Sequence, residues 1–451
     1  MAIDWMAWAV TAAFLAPAIL LAAKGSSLLV DYAIFLYVIN REIRRIVDWW
    51  QGSFNPFSPI VLIPLIATCL LVLPFFFRFA SLHPTAKKIF ILFFLAIGYG
   101  TFVGLVCNGI AAVYAASEFL SPIALMGFTA TAPVDEWTAD RWMKSAGWIA
   151  VGACLYGWFQ YLTVPPWDAY WVQQVGFVGY LGKPAPAEMT VFSTFAERGP
   201  CASFLSLALI PIVVSRRWRL FLGWPEALLI LSTIVITLVR TGLILIGASI
   251  LFHPLLNRGR GALGIVVLVA VIALAGFIGL NRMPNADRIN GRLSTFGNIQ
   301  EDGSFLGRVG IADAGIKLLI SNPVGYGIGS SGLGGRLNTG AASNNEALIG
   351  DNGYLEVLTG LGLPGGLLLV AGFVLVWSHL STCVRFGLVD DYVGLSRTFF
   401  VVLLIGMLAG NYFSGLSAMW VAFGQSLSPR MLEKLGPIDS PAFEVPARVR
   451  S

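Results

Sequence analysis

The sequence has little charge, few histidines and no paired cysteines, and each shortage excludes a class of protein. Charged residues make up 12% of the 451 residues, about half of the roughly 25% that is typical of soluble domains. The five cysteines are far apart and form no C-x-x-C pair, which argues against a disulfide framework or a zinc site. The three histidines are equally scattered, so neither a metal ion nor another cofactor is expected. These residues are Cys69, Cys107, Cys154, Cys201, Cys383, His83, His253 and His379.

Long apolar runs dominate the chain instead. Hydrophobic residues make up 57% of the sequence, and long apolar runs recur along its whole length, which is typical of membrane-spanning helices. We therefore predict an all-α fold, a single polytopic transmembrane helical bundle over residues 1–451 with about 12 to 13 helices. The predicted segments are 5–23, 26–40, 58–77, 89–107, 110–128, 142–162, 200–215, 220–239, 241–256, 262–280, 354–377, 396–410 and 411–428.

Two long polar loops interrupt this pattern, a first loop at 163–199 and a larger one at 281–350 that contains short helices. Lys and Arg are enriched in cytoplasmic loops of membrane proteins. The basic run at 216–219 therefore predicts that both long loops lie outside, and that the tail at 429–451 is cytoplasmic. The net charge of +5 forms no contiguous basic patch, so no nucleic-acid partner is expected.

One basic cluster conflicts with this topology. Arg41, Arg44 and Arg45 fall on the outer side when the segments are counted. Either the early segment count is off by one, which is the interpretation we favour, or these arginines have a specific task.

Several other arginines also fall on the predicted outer face, and Arg240 is the most informative of them. It lies between two apolar runs, where a charge costs about 2.5–3.5 kcal/mol on insertion scales unless it faces protein or water. We interpret Arg240 as part of an anion site at the membrane surface; the alternative is a snorkelling arginine at an outer turn. Arg308 and Arg198 are supporting candidates.

The larger loop contains a predicted helix at 303–320, ended by Asn322-Pro323. Its apolar stripe of Phe305, Val309, Ala312, Ile316 and Leu319 predicts that the helix lies on the membrane domain. Asp313 and Lys317 are spaced as a surface ion pair. A G-x-G-x-x-G pattern follows within 325–332, but no strand–helix unit surrounds it, so a dinucleotide site is rejected. Its glycines indicate tight turns or a close approach of the backbone.

The loop ends in Asp351-Asn352-Gly353-Tyr354-Leu355, just before the next apolar run. Asp351 has two readings that are compatible with each other. As an N-cap its carboxylate accepts a backbone N–H, and at the mouth of a pocket it can accept a proton.

These motifs resemble the O-antigen ligase and Wzy-type polysaccharide polymerase superfamily of bacterial inner membranes. The ligase branch has R-x-x-x-L at a helix end, which Arg240-Thr241-Gly242-Leu243-Ile244 matches with Ile at the last position. It also has H-[N/S/Q]-x-x-L at the end of the long loop, which Asp351–Leu355 matches with Asp in place of His. The resemblance covers roughly residues 190–425, and the motifs are specific mainly through their order and spacing.

The resemblance implies a metal-independent, inverting glycosyltransferase whose active site faces the periplasm. Its donor and acceptor would be undecaprenyl-pyrophosphate-linked glycans in the membrane lipid, and its further partners a flippase and chain-length or export proteins. Asp351 and Arg240 are the expected catalytic residues. Pyrophosphate or sugar contacts are expected from Arg308, Arg198, Asn352 and Tyr354.

Asp in place of His favours a polymerase that joins repeat units of an exopolysaccharide, capsule or O-antigen-like glycan. One alternative is a ligase that transfers the glycan to lipid A core or to protein. Another is a lipid-linked oligosaccharide flippase, for which Glu118 is the best candidate ionisable residue within an apolar run. Aromatic residues of the first loop, including Trp167, Trp171 and Tyr180, are candidates for sugar stacking or for an interfacial belt.

Overall fold

The structure, a computed structural model, describes residues 4–55, 58–176, 181–257, 303–330, 352–386 and 390–433, with only the backbone at 303–309 and 311. Within these ranges the regular structure is helical and no strand occurs. The described α-helices, numbered in chain order, are α1 (Trp5–Ala23), α2 (Leu28–Gln51), α3 (Ile63–Arg78), α4 (Pro84–Asn108), α5 (Ile110–Thr131), α6 (Glu136–Thr163), α7 (Pro166–Gln174), α8 (Arg198–Val214), α9 (Trp224–Ile236), α10 (Arg240–Asn257), α11 (Gly303–Ser321), α12 (Gly353–Arg385), α13 (Asp391–Gly406), α14 (Ala418–Ser426) and α15 (Pro429–Glu433).

Six helical stretches in the described part of the chain are long and apolar enough to cross a membrane. They contain α1, α3, α4, α5, α10 and α12. The prediction of an all-α polytopic protein is confirmed. The predicted segment at 262–280 lies outside the described residues.

Two predicted segments differ from the helices that form. The segment predicted at 26–40 continues to Gln51 as α2, because its polar second half finds partners inside the protein. The segment predicted at 411–428 is helical only from Ala418. Residues 407–417 form turns in which the Asn411 side chain accepts hydrogen bonds from the N–H groups of Phe413 and Ser414.

Helix boundaries follow the local chemistry of the chain. Asp4, Asp135 and Asp390 each accept a backbone N–H of the first turn that follows, at α1, α6 and α13. Pro84 occupies the first position of α4, where a missing N–H costs nothing. Gly52 ends α2 in the left-handed conformation at φ 62°.

The helices form one bundle, in which every residue of α14 is buried. Helix α12 packs along α4, α5 lies against α3, α4 and α14, and α10 lies between α8 and α13. Glycines permit the closest of these contacts. A Cβ at Gly127 of α5 would collide with the Phe75 ring, and one at Gly372 of α12 would collide with Phe93.

One end of the bundle is held by charged side chains around Arg217, and we call it the Arg217 end. Both oxygens of Asp140, near the start of α6, accept the Arg217 Nε–H at 2.7 Å. The Tyr392 hydroxyl, at the start of α13, also donates to Asp140, at 2.9 Å. Arg141 pairs with Asp31 near the start of α2 at 3.1 Å.

The end of the bundle opposite to the Arg217 end is called the Asn352 end. Helix α13 starts at the Arg217 end, so its last turn lies at the Asn352 end, where the Tyr354 hydroxyl of α12 donates to the Leu404 carbonyl at 2.7 Å. Helix α2 also starts at the Arg217 end, so Gln51 lies at the Asn352 end, where it donates to Asp4 at 2.8 Å.

Candidate functional site

Two of the predicted arginines begin helices that pack together. Arg198 is the first residue of α8 and Arg240 the first residue of α10. The Ser206 hydroxyl of α8 donates to the Gly242 carbonyl of α10 at 3.2 Å, and a Cβ at Gly242 would contact Ala202. Both arginine side chains are partly buried.

These two helix starts lie at the Asn352 end. Asn257, the last residue of α10, donates to the Gly394 carbonyl at 3.1 Å, near the start of α13. Helices α10 and α13 are therefore antiparallel, and the start of α10 lies at the end where α13 finishes and α12 begins. Because the N-terminus of a helix carries partial positive charge, this end suits an anion.

The start of α12 is capped by Asn352 rather than by Asp351. The Asn352 Oδ1 atom accepts hydrogen bonds from the N–H groups of Tyr354 at 3.1 Å and Leu355 at 3.2 Å. Asp351 itself lies outside the described residues, as does the side chain of Arg308. The capping that the sequence allowed for the carboxylate is thus done by its amide neighbour.

Tyr354 joins two helices at this end, since its hydroxyl donates to the Leu404 carbonyl of α13. Gly353 donates its N–H to the Met407 carbonyl at 2.8 Å, and a Cβ there would collide with Gly410. The start of α12 is therefore fixed against the turn that ends α13, which holds Asn352–Leu355, the described part of the motif, in one position.

Glu356 is a site residue that the motifs did not reveal. Its N–H donates to the Asn352 carbonyl at 3.0 Å, so it lies one helical turn inside the cap. The Asn411 side chain donates to Glu356 Oε1 at 3.2 Å. An acidic residue in an apolar run is costly unless it faces protein or water, and that signal was present in the sequence; nothing in the sequence marked Asn411.

A second carboxylate, Glu118 of α5, lies within electrostatic range of Glu356. The Tyr114 hydroxyl hydrogen-bonds with Glu118, and Arg41 of α2 interacts with both side chains. The structure thus places the flippase candidate Glu118 in a polar cluster at the Asn352 end. With two carboxylates and one arginine, this cluster can orient hydroxyl groups as well as charges.

The glycine pattern that follows α11 enters the bundle between α4 and α12. The Tyr326 N–H donates to the Thr359 carbonyl at 2.9 Å, and the Ile328 N–H donates to the Gly100 carbonyl at 2.9 Å. Gly325, Gly327 and Gly329 all have positive φ, at 91°, 79° and 89°. The prediction of tight turns and close backbone approach is confirmed.

Helix α11 matches the predicted helix and packs against α12. Asp313 and Lys317 form the predicted surface pair at 2.6 Å. The predicted apolar stripe is wrong at Ile316, which is 51% exposed. The face in contact with α12 includes Gly315 instead, where a Cβ would lie 2.7 Å from a Leu355 methyl carbon.

The first loop packs against α2 through its aromatic residues. The Trp167 Nε1–H donates to Glu42 at 2.6 Å. Trp171 is buried with its ring 5.6 Å from that of Phe54. Trp171 therefore has a packing function rather than a sugar-stacking one, and Tyr180 lies outside the described residues.

Residues 225–370 match a family model described as O-Antigen ligase. The matched range runs from α9 into α12 and includes Arg240, Arg308 and Asp351. The resemblance seen in the sequence motifs is thereby confirmed. No curated protein matches the chain.

Proposed function

We propose that this multi-pass membrane protein, whose residues 225–370 match the model of the O-antigen ligase family, is a polysaccharide polymerase. It joins undecaprenyl-pyrophosphate-linked oligosaccharide repeat units into a surface polysaccharide, by metal-independent inverting glycosyl transfer. The observation that carries the proposal is that three helix starts lie at the same end of the bundle. They bear Arg198, Arg240 and the motif that begins at Asp351.

The arginines supply what the leaving group needs. As the glycosidic bond to phosphate breaks, negative charge grows on the pyrophosphate. Fixed positive charges and helix N-termini stabilise that charge without reorganising during the reaction. Arg240 is the first candidate, with Arg198 on the adjacent helix start and Arg308 on α11 in support.

Asp351 is the proposed base. It accepts the proton of the acceptor hydroxyl as that oxygen bonds to the anomeric carbon of the donor. The bond between this carbon and the pyrophosphate oxygen breaks in the same displacement, so the configuration inverts. Asn352 fixes the backbone beside Asp351, and Glu356 with Asn411 is placed to orient the acceptor.

The choice of a polymerase rests on one residue. In the ligase motif that this sequence resembles, the position of Asp351 is occupied by His. The base acts on the acceptor hydroxyl, so a different base is consistent with a different acceptor. The runner-up is a ligase that transfers the glycan to lipid A core or protein, and the description of the matching family favours it. Both reactions place the site on the periplasmic side of the inner membrane, after a flippase and before chain-length or export proteins.

Deletion of the gene in its host tests the choice through the lipid-linked glycans that accumulate. Single repeat units on the carrier at the periplasmic face are the expected result. Long chains that remain on the carrier would contradict the polymerase function and support the ligase function. Repeat units held on the cytoplasmic side would overturn both and indicate a flippase.

Substitution in the deletion strain tests the site. Asp351→Asn and Arg240→Ala are each expected to abolish polymer while the protein remains folded in the membrane. Asp313→Asn and Lys317→Ala are matched controls, because they alter an exposed pair on α11 and are expected to leave polymer length and yield unchanged. Normal polymer from both site variants would contradict the proposed chemistry.

A further inference from the structure

The unexplained basic cluster of α2 contains an arginine that is completely enclosed. Arg45 is 1% exposed, which is rare for this residue type unless it is paired. Its Nη2 atom pairs with Glu42 of the same helix, and its Nε atom lies 2.7 Å from Asp168 Oδ1 of α7. A single guanidinium therefore joins α2 to the first loop.

The same guanidinium binds the backbone of a second segment. Its Nη1 atom donates to the Phe195 carbonyl, and its Nη2 atom donates to the Ser193 carbonyl at 2.5 Å. The group also lies over the Phe192 ring at 4.8 Å from the ring centre. The planar, multidentate geometry of arginine is what this arrangement uses, and a lysine cannot reproduce it.

The segment that Arg45 binds is buried without regular structure. Val191, Phe192 and Ser193 are 0% exposed, so their backbone groups need partners inside the protein. The Gln160 side chain of α6 accepts the N–H groups of Phe192 at 3.0 Å and Ser193 at 2.8 Å. Gln160 also donates to Asp168 at 2.7 Å, so Arg45 and Gln160 hold the segment from two sides.

This segment leads directly into Arg198. Phe195, whose carbonyl Arg45 binds, lies three residues before the first residue of α8. Glu197 precedes the helix as its N-cap and makes no side-chain capping hydrogen bond. The position of the first turn of α8 therefore depends on the segment before it, and that segment is held by Arg45.

We infer that Arg45 is a positioning residue that sets the place of Arg198 beside Arg240 for binding of the donor pyrophosphate. The inference rests on the proposed function, because it requires that Arg198 contacts the pyrophosphate. Arg45 itself is enclosed and does not touch the substrate. Its effect should therefore pass through Arg198 and appear in donor affinity.

The test uses the full-length protein in lipid nanodiscs, with farnesyl pyrophosphate as the probe for binding and lipid-linked repeat units from the deletion strain for turnover. Arg45→Lys retains the positive charge and removes the planar guanidinium with its several hydrogen-bond donors. It is expected to weaken probe binding about tenfold and to raise KM for the donor with little change in kcat, as loss of uniform binding does. Gln160→Met removes the side-chain oxygen that accepts the N–H groups of Phe192 and Ser193. It should weaken probe binding by a similar factor, and it provides the test if Arg45→Lys does not fold.

A double-mutant cycle separates positioning from general structure. Arg198→Ala alone should weaken binding at least as much as Arg45→Lys, and the double variant should be no worse than Arg198→Ala. Arg141→Lys, which alters the ion pair with Asp31 at the Arg217 end, is the matched control and should leave probe binding unchanged.

Each contrary result has a distinct meaning. Independent, additive losses in the double variant would overturn the positioning role of Arg45 while the polymerase proposal stands. Normal binding by Arg45→Lys and Gln160→Met would do the same. Normal binding by Arg198→Ala would remove both this inference and the pyrophosphate contact assigned to Arg198, but would leave Arg240 and Asp351 to be judged by polymer yield.

Discussion

At the scale of the residue, the arginines of α2 show how neighbouring positions take different tasks. Arg41 faces Glu118 near the start of α12, whereas Arg45 is enclosed by the first loop. Arg44 pairs with Asp48 at 3.4 Å, and its guanidinium lies 5.1 Å from the ring centre of Phe54 and 5.2 Å from that of Trp171. The arginine cluster of α2 thus contributes to the structure. It lies at the Asn352 end because α2 runs from the Arg217 end to the Asn352 end, so the early segments were not miscounted.

Glu356 gives the first prediction at this scale. Glu356→Gln keeps an oxygen for the Asn411 amide and removes the charge. A hydrogen bond to a charged group contributes about 1.5–3 kcal/mol, so we expect polymer formation to fall roughly tenfold or more. The rate of polymer formation per folded molecule measures it. Glu136→Gln, at the Arg217 end, is the control, and equal rates for the two variants would show that the Glu356 charge is dispensable.

Asp168 gives a prediction about pH. Burial raises the pKa of Asp168 from 3.8 to about 6, against the lowering effect of Arg45, with Glu42 raising it further. The folded protein therefore binds a proton more readily than the unfolded chain does. The stability linked to this group is fully present below the unfolded pKa and is lost as pH rises through about 6.

Thermal unfolding from pH 4 to pH 7 measures this linkage. The wild-type protein should lose stability over that range, and Asp168→Asn should show a flatter profile. Asp313→Asn should follow the wild-type profile, because that carboxylate is exposed on α11. Parallel profiles for wild type and Asp168→Asn would assign the pH dependence to other groups.

At the scale of the element, α12 and the segment after α11 are shaped by each other. Helix α12 breaks at Gly362, with φ 65° and ψ 178°. At the break the Leu363 N–H donates to the Pro323 carbonyl at 2.8 Å. The Asn108 side chain, at the end of α4, donates to the Tyr326 carbonyl at 2.9 Å. The segment thus satisfies backbone groups that an interrupted helix leaves open, as a membrane interior requires.

Gly327 gives the prediction for this contact. A Cβ there would collide with backbone atoms of Gly104, at a φ of 79° that disfavours other residues. We expect Gly327→Ala to lower stability by about 1–3 kcal/mol and to reduce polymer formation, because the segment lies beside the first turns of α12. Thermal unfolding of the purified protein measures the first effect.

Gly152→Ala is the matched control for Gly327→Ala. It lies on α6 with no atom within 4 Å of an added Cβ, and alanine favours helix over glycine by up to about 1 kcal/mol. Its stability should be unchanged or higher. Equal stability of the two alanine variants would show that the segment does not depend on its close approach to α4.

At the scale of the whole molecule, the bundle has two chemically distinct ends. The Arg217 end gathers ion pairs of Arg217 and Arg141, and the Asn352 end gathers the helix starts of the candidate site. The enrichment of Lys and Arg in cytoplasmic loops predicts that the Arg217 end is cytoplasmic, which agrees with the orientation that the proposed function requires. On that prediction the Asn352 end faces the periplasm.

Cysteine labelling in intact cells tests this orientation. In a background without the exposed Cys69 and Cys107, Gln173→Cys on the exposed face of α7 should react with a membrane-impermeant maleimide. Leu222→Cys, 63% exposed at the Arg217 end, should react only after the membrane is opened. The reverse labelling pattern would show that the protein has the opposite orientation in the membrane, with the candidate site facing the cytoplasm.

Much of the architecture was predictable because bilayer crossing forces a visible pattern on the chain. Twelve of the thirteen predicted segments overlap described helices, and that at 262–280 lies outside the described residues. The candidate site was predictable only in part. Arg240 and Asn352 lie in sequence motifs. Asn411 lies in the turn between α13 and α14, far along the chain from Glu356, and donates a hydrogen bond to it. No local sequence pattern predicts a contact between residues so far apart in the chain.

The sequence by itself determined that the chain is an all-α membrane protein with its motif at the start of a late helix, because apolar run length and capping chemistry are local properties. Only the tertiary structure decided that Glu356 lies against Asn411 and that Arg45 is enclosed. These depend on contacts between residues far apart in the chain, such as Arg45 with Phe195. The order of residues along the chain does not reveal which helix faces meet.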